Sequence, residues 1–184
     1  MQNRQAGPRS RALTAGETAM AASLFCEAID YAAVRIYNRR YLPFGLQPLN
    51  CAMTPNGHLY FHKSRCLLDF SAGSDHARHW FMHEMVHVWQ HQLGYPVRLR
   101  GAVRIGLRYR YELALDKNLA DYNMEAQGDL LADYFVLKHL GAPAAMRQGA
   151  YANDLALYEH VLASFLADPA NRKNLPRGIL LRLR

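Results

Sequence analysis

The sequence predicts an α+β fold, mostly helical, with a small sheet and flanking helices. Four segments carry apolar residues at helical spacing between caps and breakers. A single Asn-Gly pair, Asn56-Gly57, separates two short strand-like runs. The chain has 184 residues, 51% hydrophobic and 20% charged. That length suits one core, and the composition excludes a disordered or collagen-like chain.

The elements follow in chain order. Residues 1–13 are polar, Arg-rich and unpatterned and read as a disordered lead, with a single domain over 14–184. No signal peptide is expected, because the apolar stretch Ala19–Phe25 is short and Glu17 closely precedes it. Thr14-Ala15-Gly16-Glu17 has the form of a capping box, in which hydroxyl and carboxylate satisfy the first free amides of a helix. Ala21, Leu24, Phe25, Ala28 and Ala32 continue that helix, and Pro43 closes the segment. Leu49–Thr54 and His58–Lys63 then flank Pro55-Asn56-Gly57, a candidate hairpin and the seed of a small antiparallel sheet.

Ser74-Asp75 can cap a second helix that runs to about Leu93 and stops at Gly94 and Pro96. Leu107, Tyr109, Tyr111 and Leu113 alternate with Arg108, Arg110 and Glu112, the pattern of a strand. A third helix spans 119–140, stopped by Gly141 and Pro143, and a fourth spans 144–167, stopped by Pro169. No apolar run approaches the roughly 18 residues of a membrane span, so none is expected.

The chain carries 22 Lys and Arg against 15 Asp and Glu, a formal net charge of +7. The basic residues are spread over the start, the 98–110 stretch and the end, which suits a solvated surface better than a polyanion track. Cys26, Cys51 and Cys66 form no CxxC pair, so they indicate neither a disulfide framework nor a cysteine metal site.

Chemistry concentrates in the second helix. His83-Glu84-Met85-Val86-His87 is an HExxH motif. Residues four apart lie one turn above each other, so two imidazoles can grip one ion. Glu84 is rotated about 100° from His83, beside the ion rather than on it, where it can take a proton from metal-bound water. Phe81, Met82, Met85, Val86, Val88 and Trp89 surround the motif with apolar residues, and a helix buried this way carries His-Glu-His only if they face a cleft or are paired.

A catalytic zinc needs a third protein ligand, and the third helix offers one. Asp121, Glu125, Asp129 and Asp133 step by four along one stripe. Glu125 can bind the metal, and Asp129, one turn on, can hold the other nitrogen of a ligand histidine. Ala126, Gly128 and Ala132 are small enough to let this helix approach the metal helix closely. His79 and His91 prolong the histidine stripe, either as outer groups facing the site or as ligands of a second metal.

At these residues the sequence resembles gluzincin-type zinc metallopeptidases, the zincins with a glutamate third ligand. His83-Glu84-Met85-Val86-His87-Val88-Trp89-Gln90-His91, Tyr122-Asn123-Met124-Glu125-Ala126-Gln127-Gly128-Asp129 and Ala132-Asp133-Tyr134-Phe135 together look like the metallopeptidase domains linked to Vgr spike and Rhs proteins of bacterial type VI secretion. The resemblance covers about residues 50–140. It implies a bacterial, zincin-like domain that cuts a peptide or protein substrate and is made in the cytoplasm. It also implies a secretion spike and an immunity protein as partners, and delivery as a toxin to a target-cell periplasm. The segment His58–His62 would then be an edge strand that pairs with extended substrate, or else a plain core hairpin.

On this reading Zn2+ is held by His83, His87 and Glu125, and Glu84 accepts the proton and returns it to the leaving amine. Tyr109, Tyr111, Tyr122, His91 and Arg110 are open candidates for the oxyanion donor or a substrate contact. Two other functions compete. A SprT-like nucleic-acid-associated protease would suit the positive charge, but such proteins use a third His, and His139 and His160 stand far off in the sequence; nucleic acid is therefore not expected as a partner. A catalytically silent zinc-binding module would hold metal without turnover.

Overall fold

A computed structural model of the chain describes residues 9–42, 47–103 and 108–177. It is an α+β arrangement, about half helical, with a three-stranded sheet. Strand β1 is Ser10–Ala12, helix α1 is Ala15–Phe25, β2 is Arg35–Tyr37 and β3 is Leu59–Tyr60. Helix α2 is Asp75–Gln92, α3 is Val97–Val103, α4 is Met124–Leu140 and α5 is Leu155–Ala167.

The capping box forms as the sequence expects: Thr14 Oγ1 accepts from the Glu17 amide, and the Glu17 carboxylate accepts from the Thr14 amide. Helix α1 is shorter than its periodicity implies. It ends at Phe25, and Cys26 follows with φ of +47°. Ala28 and Ala32 leave the helix because Ile29, Val34 and Ile36 turn back into the core, and these β-branched residues favour extended backbone. The lead also ends earlier than expected. Ser10–Ala12 pair antiparallel with β2, and Arg11 clasps the buried carboxylate of Glu17 with two 2.7 Å bonds.

The sheet corrects the hairpin reading. Its order is β1-β2-β3, with β2 and β3 parallel in the register Ile36↔Leu59 and Tyr37↔Tyr60. It is a mixed sheet rather than an antiparallel one. Gly57 does turn the chain with φ of +77°, but the two runs meet in one antiparallel bridge, Met53↔Tyr60. Beyond it His62 curls into a turn, accepting from the amides of Arg65 and Cys66. Met53 bonds the outer side of Tyr60 in both directions, so the proposed substrate edge is already occupied there.

Helix α2 matches its expected bounds, with Ser74 capping Ala77. Helix α4 starts later than expected, at a second cap, Asn123, whose side chain accepts from the amides of Glu125 and Ala126; residues 119–121 form a separate 3-10 turn. Of the expected strand over 107–113, Leu107 lies outside the described residues, and 108–113 join no sheet. Their alternation instead records burial, with Tyr111 and Leu113 inward and Arg108, Arg110 and Glu112 outward. The expected fourth helix is broken into 3-10 turns at 143–145 and 149–151 before α5. The cause is Asp133, whose two carboxylate oxygens accept from the backbone amides of Arg147 and Gln148 and hold that stretch out of helical form.

The core sits between α2 and α4, which pack against each other along their length. Phe25, Trp89 and Phe165 interlock on one side, and Phe61, Phe70, Phe81 and Trp80 on the other. Burial of each such aromatic contributes about 1.5–3 kcal/mol, enough to fix α2, which carries the histidines, against α1 and α5.

Candidate metal centre

Helix geometry stacks His83 above His87, and α4 crosses them with Glu125. Nε2 of His83 lies 3.2 Å from Nε2 of His87, and Oε2 of Glu125 lies 3.3 Å and 3.4 Å from the two nitrogens. An ion bound at 2.0–2.1 Å in tetrahedral geometry requires ligand atoms about 3.3 Å apart. The triangle fits that requirement, and a buried assembly of two ring nitrogens and a carboxylate matches a borderline metal's donor set. Among the described residues this is the metal-competent group.

The helices approach this closely because residue 128 is glycine. A Cβ there would fall 2.6 Å from Cε1 and 2.8 Å from Nδ1 of His83. Each imidazole is held from behind. Nδ1 of His83 contacts Asp129 Oδ1 at 2.8 Å, and Nδ1 of His87 contacts Gln90 Oε1 at 2.8 Å. Gln90 Nε2 donates to the Met124 carbonyl and to Gln127 Oε1, and Gln127 Nε2 donates to the carbonyls of Leu119 and Asn174. Gln90 therefore presents its oxygen to His87, which puts the ring proton on Nδ1 and leaves Nε2 free to bind.

Electrostatics follow the same arrangement. Burial disfavours charge on His83, but hydrogen bonds with Asp129 and Glu125 outweigh it and lift its pKa to about 10. Burial likewise opposes charge on His87, and Glu125 outweighs it, so its pKa is raised. Burial would raise Glu125, yet His87 and His83 hold it well below the usual carboxylate range. Without a cation the neighbouring carboxylates draw protons onto the two imidazoles; a bound metal would displace those protons and supply the positive charge in their place.

Glu84 is 4% exposed and lies outside the ligand triangle. The hydroxyl of Thr54 donates to its Oε2 at 2.6 Å. Tyr109 reaches the site: its ring, 54% exposed, stacks on His83 with centroids 6.2 Å apart. Other tyrosines of the sequence reading are occupied elsewhere. The Tyr111 hydroxyl donates to Asp133 and touches the Tyr158 hydroxyl; burial, with Asp133 beside it, raises its pKa. The Tyr122 hydroxyl donates to the Glu112 carbonyl at 2.8 Å. His91 is exposed, packs over Gly57 and borders an apolar groove of about 560 Å³ with Pro55, Tyr95 and Leu99. His79 contacts Asp133 at 2.7 Å. Neither joins a metal-competent group among the described residues. His139 stacks on Phe135, and His160 bonds the Leu115 carbonyl.

Sequence reasoning missed Thr54, Gln90 and Gln127. Gln90 had a signal, a polar residue three positions after His87 and so on the same side of the helix. Thr54 had none, because its partner is 30 positions away.

The fold and the triangle define an α+β domain with a two-helix, metal-competent centre. No protein-family model matches the chain. In an alignment of 136 positions that covers 70% of its length, it is 43% identical to the type VI secretion system spike protein VgrG2b of Pseudomonas aeruginosa. The chain spans 13% of that relative. The solved structure of the effector domain of Pseudomonas aeruginosa VgrG2b matches it with a TM-score of 0.67 and 41% identity, covering 83% of each chain. The chain belongs to the family of the VgrG2b effector domain.

Proposed function

We propose that this chain is a zinc-dependent metallopeptidase. The observation that carries this reading is the His83, His87 and Glu125 triangle, with edges of 3.2–3.4 Å and the buried carboxylate of Glu84 beside it. Zinc held there would supply a water acidic enough to react near neutral pH and would polarise a peptide carbonyl. The chain's own residues do the rest. Glu84 accepts the water's proton and returns it to the leaving amine. Thr54 holds one Glu84 oxygen in place, while Asp129 and Gln90 keep the two imidazoles turned toward the ligand triangle. Tyr109, beside His83, is the tyrosine nearest to hand as a substrate or oxyanion contact.

The relative's role as a type VI spike protein supports a second part of the proposal. The chain acts as an effector of that system, carried with a spike to a target-cell periplasm and restrained in the producer by an immunity protein. No helix among the described residues is long and apolar enough to cross a membrane, which fits carriage of this kind.

The test is Glu84→Gln, assayed for bound zinc by elemental analysis and for cleavage of a quenched-fluorescent peptide library. Retained zinc with cleavage lowered about 10²–10⁴-fold is the expected result for a proton-transfer group. Parent-like cleavage by the variant would remove Glu84 from the proton transfer, and no cleavage by the zinc-loaded parent would leave a zinc-binding module without turnover.

A further inference from the structure

The loop before α4 borders an open cavity of about 510 Å³. Arg108 and Arg110 line one wall, and Tyr122, Asn123 and Ala126 line another. Two contacts tie this cavity to the metal centre. Asn123 donates from Nδ2 to the Arg108 carbonyl at 3.0 Å while its Oδ1 accepts from the amide of Glu125 at 3.0 Å. Tyr109, between the two arginines, stacks on His83. Ala126 of the lining directly follows Glu125 in α4, so the pocket adjoins the metal-competent centre without including its residues.

The charges in the wall are unbalanced. Glu112 faces Lys117 at 3.9 Å, and Asp121 is paired with Arg177 at 2.8 Å. Lys117 also bonds the Glu112 carbonyl and lies over the Tyr122 ring. Among the described residues neither Arg108 nor Arg110 has an acidic partner, and both are exposed. Guanidinium groups bind carboxylates through paired, charge-assisted hydrogen bonds, and two that line one pocket without an acidic partner leave that capacity unused.

We propose that this cavity is a subsite for a carboxylate of the peptide substrate, on the α4 side of the metal-competent centre. The proposal rests on the peptidase reading above. An acidic side chain and a free peptide C-terminus offer the same chemistry.

The experiment uses the zinc-loaded Glu84→Gln chain and fluorescence anisotropy. The probes are labelled eight-residue peptides of three kinds: neutral with an amidated end, the same with one Glu moved through each position, and the neutral peptide with a free C-terminal carboxylate. At least one acidic peptide is expected to bind about tenfold tighter than the neutral one. That advantage is expected to vanish in a form that also carries Arg108→Gln and Arg110→Gln, with bound zinc unchanged. An advantage confined to the Glu peptides assigns the subsite to a side chain, and one confined to the free acid assigns it to a chain end. Equal affinity for all three kinds, or an advantage that survives the arginine substitutions, overturns the proposal. Cleavage of the same peptides by the parent separates the two readings. Cleavage without carboxylate preference sinks the subsite alone, and carboxylate-dependent binding without cleavage sinks the substrate role together with the peptidase reading.

Discussion

The imidazole of His79 and the carboxylate of Asp133 repeat, at 2.7 Å and one helical turn away, the contact that His83 makes with Asp129 at 2.8 Å. Helices α2 and α4 thus meet through a ladder of histidine–carboxylate rungs, the third being His87 with Glu125. One end of the ladder faces the metal-competent triangle. The other is a structural knot, because Asp133 is fully buried and accepts from His79, Tyr111 and the amides of Arg147 and Gln148.

That knot gives the first prediction. Four donors fill the lone pairs of one carboxylate. Asp133→Asn replaces one acceptor with a donor that faces donors, and it removes the charge they compensate. Stability measured by urea denaturation should fall by about 3–5 kcal/mol, the range for breaking a buried charged pair. A loss under about 1 kcal/mol would show that the stretch after α4 holds itself.

The Asp129 rung makes a different prediction. Asp129→Asn can still accept from Nδ1 of His83 through its amide oxygen, so the ring keeps its orientation and loses only the neighbouring charge. Zinc affinity in a competition assay should drop about 10–100-fold. The melting temperature of the chelated protein should move little. Unchanged affinity would make the 2.8 Å contact incidental to the centre.

Gly128 sets the spacing of the two helices, and its replacement tests competing effects. Alanine favours a helix over glycine by about 1 kcal/mol, which would stabilise α4. Its Cβ would lie 2.6–2.9 Å from three atoms of the His83 ring, and that ring is pinned by Asp129. The contact should win: Gly128→Ala should weaken zinc binding at least about tenfold, equivalent to about 1.4 kcal/mol. Gly101 in α3 has no atom within 4 Å of the same position, so Gly101→Ala should leave zinc binding unchanged. Equal zinc affinity in both variants would refute the steric account.

Local signals were legible in the sequence. The Thr14 and Ser74 caps, the Gly57 turn and the bounds of α2 depend on neighbours within a few residues, and the structure has them where the sequence reading puts them. The meeting of His83, His87 and Glu125 was legible too, because helical periodicity projects residues distant in sequence onto facing stripes. Features settled by remote partners were not. The amides of Arg147 and Gln148 are captured by a carboxylate 14 and 15 positions away. Ser10–Ala12 become a strand only because β2 arrives beside them. Tyr111 sits at an alternating position that reads as a strand, yet its hydroxyl belongs to Asp133.

Thr54 is the least legible part of the site and supports the last prediction. Its hydroxyl meets Glu84 Oε2 at 2.6 Å, and both residues are buried. A hydrogen bond to a charged group contributes about 1.5–3 kcal/mol, and here it also chooses the direction in which the carboxylate points. Thr54→Val keeps the shape and removes the donor, so the fold and zinc content should be preserved. If Glu84 moves the proton, kcat should fall by about 10–100-fold with KM nearly constant, because the bond orients a group that acts in the chemical step. Thr54→Ser restores the hydroxyl and should recover most of the rate, an outcome that a packing role for the methyl group would not produce. A Thr54→Val variant with parent-like kcat would mean that Glu84 is held in position by the α2 backbone alone.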